Sequence, residues 1–142
     1  MTVSLKVANI VWPLGTPAFF GAFFSTVAVH LEPGGWGTRF PGVMGALYSG
    51  ALSAEDARRA RRELDEIRIE LRAFAAADVV WDIHDRAQRP PWGDDIAATI
   101  TDLGNYFVTA DGRDLFDVLG EAIDFCASSR STLSVATIAL EQ

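Results

Sequence analysis

The stretch Ser53–Phe74 reads SAEDARRARRELDEIRIELRAF, and its apolar residues Ala57, Ala60, Leu64, Ile67, Leu71 and Phe74 recur at steps of three, four, three, four and three. That spacing lays a single stripe along an α-helix. Ser53 stands at the N-cap with Asp56 three residues on, a capping-box spacing in which Asp replaces the longer Glu or Gln. Glu55, Arg59 and Glu63 place opposite charges four residues apart on another face. The pattern predicts a half-buried helix of about six turns, and its stripe needs a second layer to cover it.

Upstream, Val3–Trp12 is rich in Val, Leu, Ile and Trp and predicts a strand that opens a sheet. Thr16-Pro17 offers an N-cap followed by proline at the first helical position, and Phe20, Phe23, Phe24, Val27 and Leu31 follow at helical steps. Phe19, Ala22 and Ala28 keep the other side apolar, so this helix should be covered on most sides. Pro33-Gly34-Gly35 stops it, and Gly35–Pro41 is an irregular loop carrying Trp36 and Arg39. A short helix with Val43, Met44, Leu47 and Tyr48 on one side follows from Pro41 and ends at Gly50.

Downstream, Asp78–Ile83 predicts a short strand, and Pro90-Pro91-Trp92-Gly93 belongs to a polar loop. Asp94 can cap a short helix through Ile96 and Ile100, and Tyr106–Thr109 reads as another strand. Asp111-Gly112 turns the chain into a last long helix marked by Leu115, Phe116, Leu119, Ala122, Ile123 and Cys126. Ser131–Leu140 closes as a strand. Strands and helices mix without regular βαβ alternation, so the class is α+β: a small sheet packed with several helices, one of them long and amphipathic. Nothing in residues 1–142 marks a repeat, a linker or a boundary, and a single domain is expected.

The 142 residues are 49% apolar and 22% charged, a globular composition. Cys126 is the lone cysteine, which rules out an internal disulfide and fits a reducing compartment. Val7–Leu31 contains no Asp, Glu, Lys or Arg, but Pro13, Gly15 and Pro17 divide it, and the remainder is shorter than the roughly 20 residues that span a bilayer. Neither a membrane span nor a signal peptide is expected. A net charge of −7 and a pI near 4.7 argue against nucleic acid as a partner, because phosphate contacts need clustered Lys and Arg.

The charge is regional. Residues 78–124 hold eleven acids against Arg86, Arg89 and Arg113, whereas residues 53–77 and 125–142 each sum to zero. A surface of one sign steers partners of the other, and it also keeps a protein soluble.

Asp82, His84, Asp85, Asp94 and Asp95 supply carboxylates and an imidazole within fourteen residues, the ingredients of a divalent-metal or acid–base site. The same residues serve equally as loop caps or as a partner-facing surface. Cys126 sits on an apolar helical stripe as a small hydrophobe, and His30 near the end of the Phe-rich helix reads as structural. Gly34-Gly35-Trp36-Gly37 has neither the lysine nor the spacing of a phosphate loop. Trp12 and Trp81 fall in strand candidates and are expected in the core. Trp36 and Trp92 sit in Gly/Pro loops beside Arg39 and Asp94, a composition found at interface hot spots.

Several stretches, in order, resemble the immunity protein 70 family of bacterial polymorphic toxin systems. They include Ser4–Val7, Phe23–Thr26, Leu31-Glu32 with Trp36–Pro41, and Leu47–Ser53. Val80–Ile83, Pro90–Gly93, Ile100–Leu103, Tyr106–Thr109 and Asp111–Leu119 continue the likeness over nearly the whole chain. His84 departs from it, standing where the family pattern has an acidic residue.

The resemblance implies a small cytoplasmic α+β protein, encoded beside a toxin, that binds that toxin and blocks it. It brings no enzyme activity and no cofactor. The acidic region would suit a basic, nuclease-like toxin. The expected partner-binding residues are Trp36, Arg39, Asp82, Asp85, Trp92, Asp94 and Asp95. Two other readings compete: a small metal-dependent hydrolase using Asp82, His84 and Asp85, and a structural subunit of a homodimer or larger homo-oligomer.

Overall fold

The computed structural model describes residues 2–138. β1 (Thr2–Val7) and β2 (Ile10–Gly15) form an antiparallel hairpin in which Val7 pairs with Ile10. The single strand expected over Val3–Trp12 is thus two strands. The chain folds back at Ala8-Asn9, where Ala8 takes a φ of 53°, and nothing in the apolar run signals the turn because it lacks the usual glycine. β4 (Leu133–Ile138) pairs antiparallel with β1, and the short β3 (Ala51–Leu52) pairs with β4, giving the order β2-β1-β4-β3. The strand expected over Ser131–Leu140 is borne out as β4; its positions 139 and 140 lie outside the described residues.

α1 (Pro17–Leu31) starts as expected: the Thr16 hydroxyl accepts from the Phe19 amide at 3.1 Å, with Pro17 in the first turn. Ten of its fifteen residues are buried. The Phe23 ring meets Phe24, Phe107 and Phe116 edge-on at 5.2, 5.5 and 5.4 Å, which makes α1 the pillar of the core.

α2 (Ala54–Leu71) is capped by Ser53, whose hydroxyl accepts from the Asp56 amide at 3.2 Å. It is 18 residues long, five turns rather than six, and ends before Phe74. Its stripe, Ala57, Ala60, Leu64, Ile67 and Leu71, is fully covered by neighbours that include α3 (Leu115–Ser129). Arg61 pairs across this contact with Asp124, and Arg68 with Asp114 and Asp117. α3 in turn packs on the sheet, where Trp12 of β2 meets Phe125 with ring centroids 6.1 Å apart.

The helix expected from Pro41 is a π-helix over Pro41–Leu47 with Val43, Met44 and Leu47 buried. The Gly42 and Val43 amides donate to the carboxylate of Glu63 on α2, at 3.3 and 3.0 Å. Gly42 permits that approach: a Cβ there would lie 3.2 Å from both Ala60 Cβ and Glu63 Oε2.

Between α2 and α3 three expected elements are absent. The strand expected over Asp78–Ile83 is absent, because backbone groups of Val80 and Ile83 pair with α1 side chains: the Thr26 hydroxyl accepts from the Val80 amide and donates to the Val80 carbonyl, and the Ser25 hydroxyl accepts from the Ile83 amide. The helix expected from Asp94 is a series of separate turns. Tyr106–Thr109 makes only one bridge, Val108 with Asp114, which closes the turn at Gly112 before α3 begins. The α+β class stands, at 44% helix and 15% strand.

Candidate functional site

Two loops meet over the exposed side of α1. There Ala18, Gly21 and Ser25, at helical spacing, form the floor of a cleft of about 550 Å³. Trp36 and Tyr48 stand on one wall, and Trp81 and Ile83 on the other, with Asp82, His84 and Gln88 at the rim. The floor is open because its side chains are small; a Cβ added at Gly21 would meet no atom within 4 Å.

The first wall is held from below. Glu32, almost fully buried at the end of α1, accepts the amides of Gly37, Arg39 and Phe40 at 2.9, 3.1 and 3.1 Å. One carboxylate therefore gathers three amides of an irregular loop that has no ladder to satisfy them. Arg39 ties the same loop to α2 through Glu70 and Glu66, and the Leu31 carbonyl accepts from its Nη1 at 2.9 Å. The Glu70 hydrogen bond, the largest influence, raises the Arg39 pKa and lowers that of Glu70. The Trp36 indole N–H donates to the Met44 carbonyl at 2.7 Å, and its ring lies 5.0 Å from Tyr48. Trp36 is still 39% exposed, so the indole is fixed in orientation while its surface stays open.

The second wall hangs on the Thr26 and Ser25 hydroxyls described above. Trp81 meets Trp92 edge-on at 5.3 Å, and the Trp92 N–H donates to the Tyr106 hydroxyl at 2.9 Å. Burial, the dominant influence there, raises the Tyr106 pKa. Trp92 and Asp95 line a separate apolar pocket of about 290 Å³ with Phe19 and Ile96.

The expected partner-binding residues are thus distributed. Trp36 and Asp82 share the main cleft, and Trp92 and Asp95 line the pocket beside it. Asp94 borders a third, smaller pocket with Arg89 and Tyr106. Asp85 is exposed on the loop and accepts from the Ala87 amide at 3.2 Å. Arg39 lines none of these spaces, and its guanidinium is engaged by Glu66 and Glu70. Trp81, expected in a core strand, lies in no strand; it is half-buried, packing against the core on one side and lining the cleft on the other. Tyr48 and Gly21 are further cleft residues outside the expected set, and a glycine inside a helical pattern is the sequence signal for the second.

Ion pairing divides the acidic region unevenly: four of its eleven acids are paired, and Asp78, Asp102 and Asp111, like the four acids of the cleft loop, make no ion pair among the described residues. Asp114 and Asp117 pair with Arg68, Asp124 with Arg61, and Glu121 with Arg113, so the α3 side is internally compensated. Among the described residues no base pairs with Asp82, Asp85, Asp94 or Asp95. The Asp82 carboxylate accepts only the His84 amide, at 2.8 Å. Among the described residues, too, no three His, Cys, Asp or Glu side chains converge as a metal-binding group. His30 and Cys126 are structural as expected: the His30 Nε2 lies 2.7 Å from the Asp78 carbonyl, and Cys126 is buried, with its thiol pKa pushed up by that burial.

The family pattern of Immunity protein 70 matches residues 5–135. The chain belongs to the immunity protein 70 family. The match includes both loops of the cleft and all of α1, α2 and α3, so this is an immunity protein of a toxin system with the α+β fold described above. Searches of curated proteins and of solved structures find no match. No helix among the described residues is long and apolar enough to cross a membrane.

Proposed function

We propose that this immunity protein binds its cognate toxin through the face that carries the cleft, the Trp36 loop and the Asp82–Asp95 loop, and blocks the toxin by occupying its surface. The observation that carries the reading is the division of charge. The acids beside the aromatic cleft have no partner base within the described chain, whereas those on α3 do. Unpaired acids on the loop that runs from one side of the aromatic cleft favour a basic partner, speeding encounter through charge and gaining affinity through the fixed aromatic side chains. Its role is binding and not catalysis, its working place is the cytoplasm, and the partner is a basic toxin domain such as a nuclease. No cofactor enters this account.

Co-expression with the toxin domain encoded beside it tests the reading. Survival of the host and co-purification of a stable complex are expected. Unchanged toxicity with no complex would remove it.

A further inference from the structure

We propose that the cleft over Gly21 is a receptor for one arginine side chain of the toxin. The inference rests on the binding role proposed above and names what enters the site.

Three features of the cleft specify a guanidinium. First, aromatic rings line it, with Trp36 held by its N–H donating to Met44 and Trp81 by its contact with Trp92. Such rings attract a flat cation, and the ordering cost has been met before binding. Second, the half-buried carboxylate of Asp82 makes no ion pair among the described residues, and the only titratable nitrogen lining the cleft with it is the His84 imidazole. The carboxylate uses one oxygen for the His84 amide, which leaves the other for a guanidinium N–H. Third, the floor at Gly21 is bare, giving depth for an extended side chain that a leucine there would fill. Among the described residues no lysine or arginine lines the space to compete. A planar, weakly hydrated cation suits such a slot better than an ammonium, which holds its water more tightly.

The test uses the whole protein and a tripeptide probe, N-acetyl-Gly-Arg-Gly-amide, with a citrulline version that is nearly isosteric and uncharged. Binding is followed through the indole N–H resonances of Trp36 and Trp81. The arginine peptide should shift both signals with a Kd of about 1 mM, and the citrulline peptide should bind about tenfold more weakly. Asp82→Asn should weaken the arginine peptide several-fold. Gly21→Leu, which replaces a helix-interior glycine with a strong helix former and so keeps the fold, should abolish the shifts.

Equal response to both peptides, or none to either, overturns the proposal even if co-expression rescues the host. Specific arginine binding that Gly21→Leu removes, in a protein that fails to rescue, would keep the guanidinium site and remove the toxin as its source.

Discussion

Arg39 grips Glu70 with both terminal nitrogens, Nη1 to Oε1 at 2.8 Å and Nη2 to Oε2 at 2.6 Å, and so fastens the loop that carries Trp36 to α2. The guanidinium also lies over the Phe40 ring, 4.6 Å from its centroid. The contact joins residues 31 positions apart, and it fixes one wall of the cleft from behind.

Replacing Arg39 with alanine should cost about 1 kcal/mol at neutral pH, the upper end for a partly exposed pair, because the geometry is bidentate. The hydrogen bond from Arg39 lowers the Glu70 pKa in the folded protein. The stabilisation is therefore present above the ordinary glutamate value, about 4.3, and is lost as pH falls through the lower folded value. Urea unfolding of the two proteins should show their difference shrinking on acidification; a difference that grows toward acid would contradict the assignment.

Glu32→Ala should be far more damaging. Among the described residues it removes the only acceptor for the Gly37, Arg39 and Phe40 amides, and a loss of about 3 kcal/mol is expected from orphaning one buried and two part-buried donors. Glu66→Ala, which removes an exposed partner of the same loop, should stay within about 0.5 kcal/mol. Paired denaturation curves give both values, and similar costs would argue against Glu32 as the organiser of the loop.

Ala8→Gly should stabilise the protein. The exposed Ala8 holds a φ of 53° at the hairpin turn, a region that penalises Cβ and suits glycine. A gain of about 1 kcal/mol, a rise of roughly 4 °C in Tm, is expected in a thermal melt.

Cys126 should report unfolding and nothing else. It is buried, 3.5 Å from the Leu52 carbonyl, and burial pushes its thiol pKa up, so little thiolate forms at neutral pH. A thiol reagent should leave the folded protein unmodified and label it stoichiometrically in denaturant. Rapid labelling of the native protein would show that the helix is open there.

What the sequence disclosed was what neighbouring residues decide. Ser53 and Thr16 are caps whose partners lie three residues away, and the α2 stripe needs only periodicity to be seen. What it concealed depends on distant partners. Val79-Val80-Trp81 has the composition of a strand, yet its backbone is satisfied by a Thr26 hydroxyl 54 residues away, and a strand exists only where another strand pairs with it. Glu32 and Glu63 look like ordinary surface acids until the amides they accept are folded onto them. The candidate site is legible to the same degree: Trp36 and Asp82 stand out by composition, but the exposure of Trp81 to the cleft and the place of Gly21 in its floor depend on how both loops pack over α1.

The central claim is that the unpaired acidic face carries neutralisation. Its most direct test is the variant with Asp82, Asp85, Asp94 and Asp95 all changed to Lys, co-expressed with the toxin domain, its fold checked by circular dichroism. These side chains make no ion pair among the described residues, and the hydrogen bonds lost, from the His84 and Ala87 amides to Asp82 and Asp85, lie within one exposed loop, so the variant should fold. Loss of both host survival and co-purification is the predicted result; full protection by the folded variant would contradict the account and place the binding surface elsewhere.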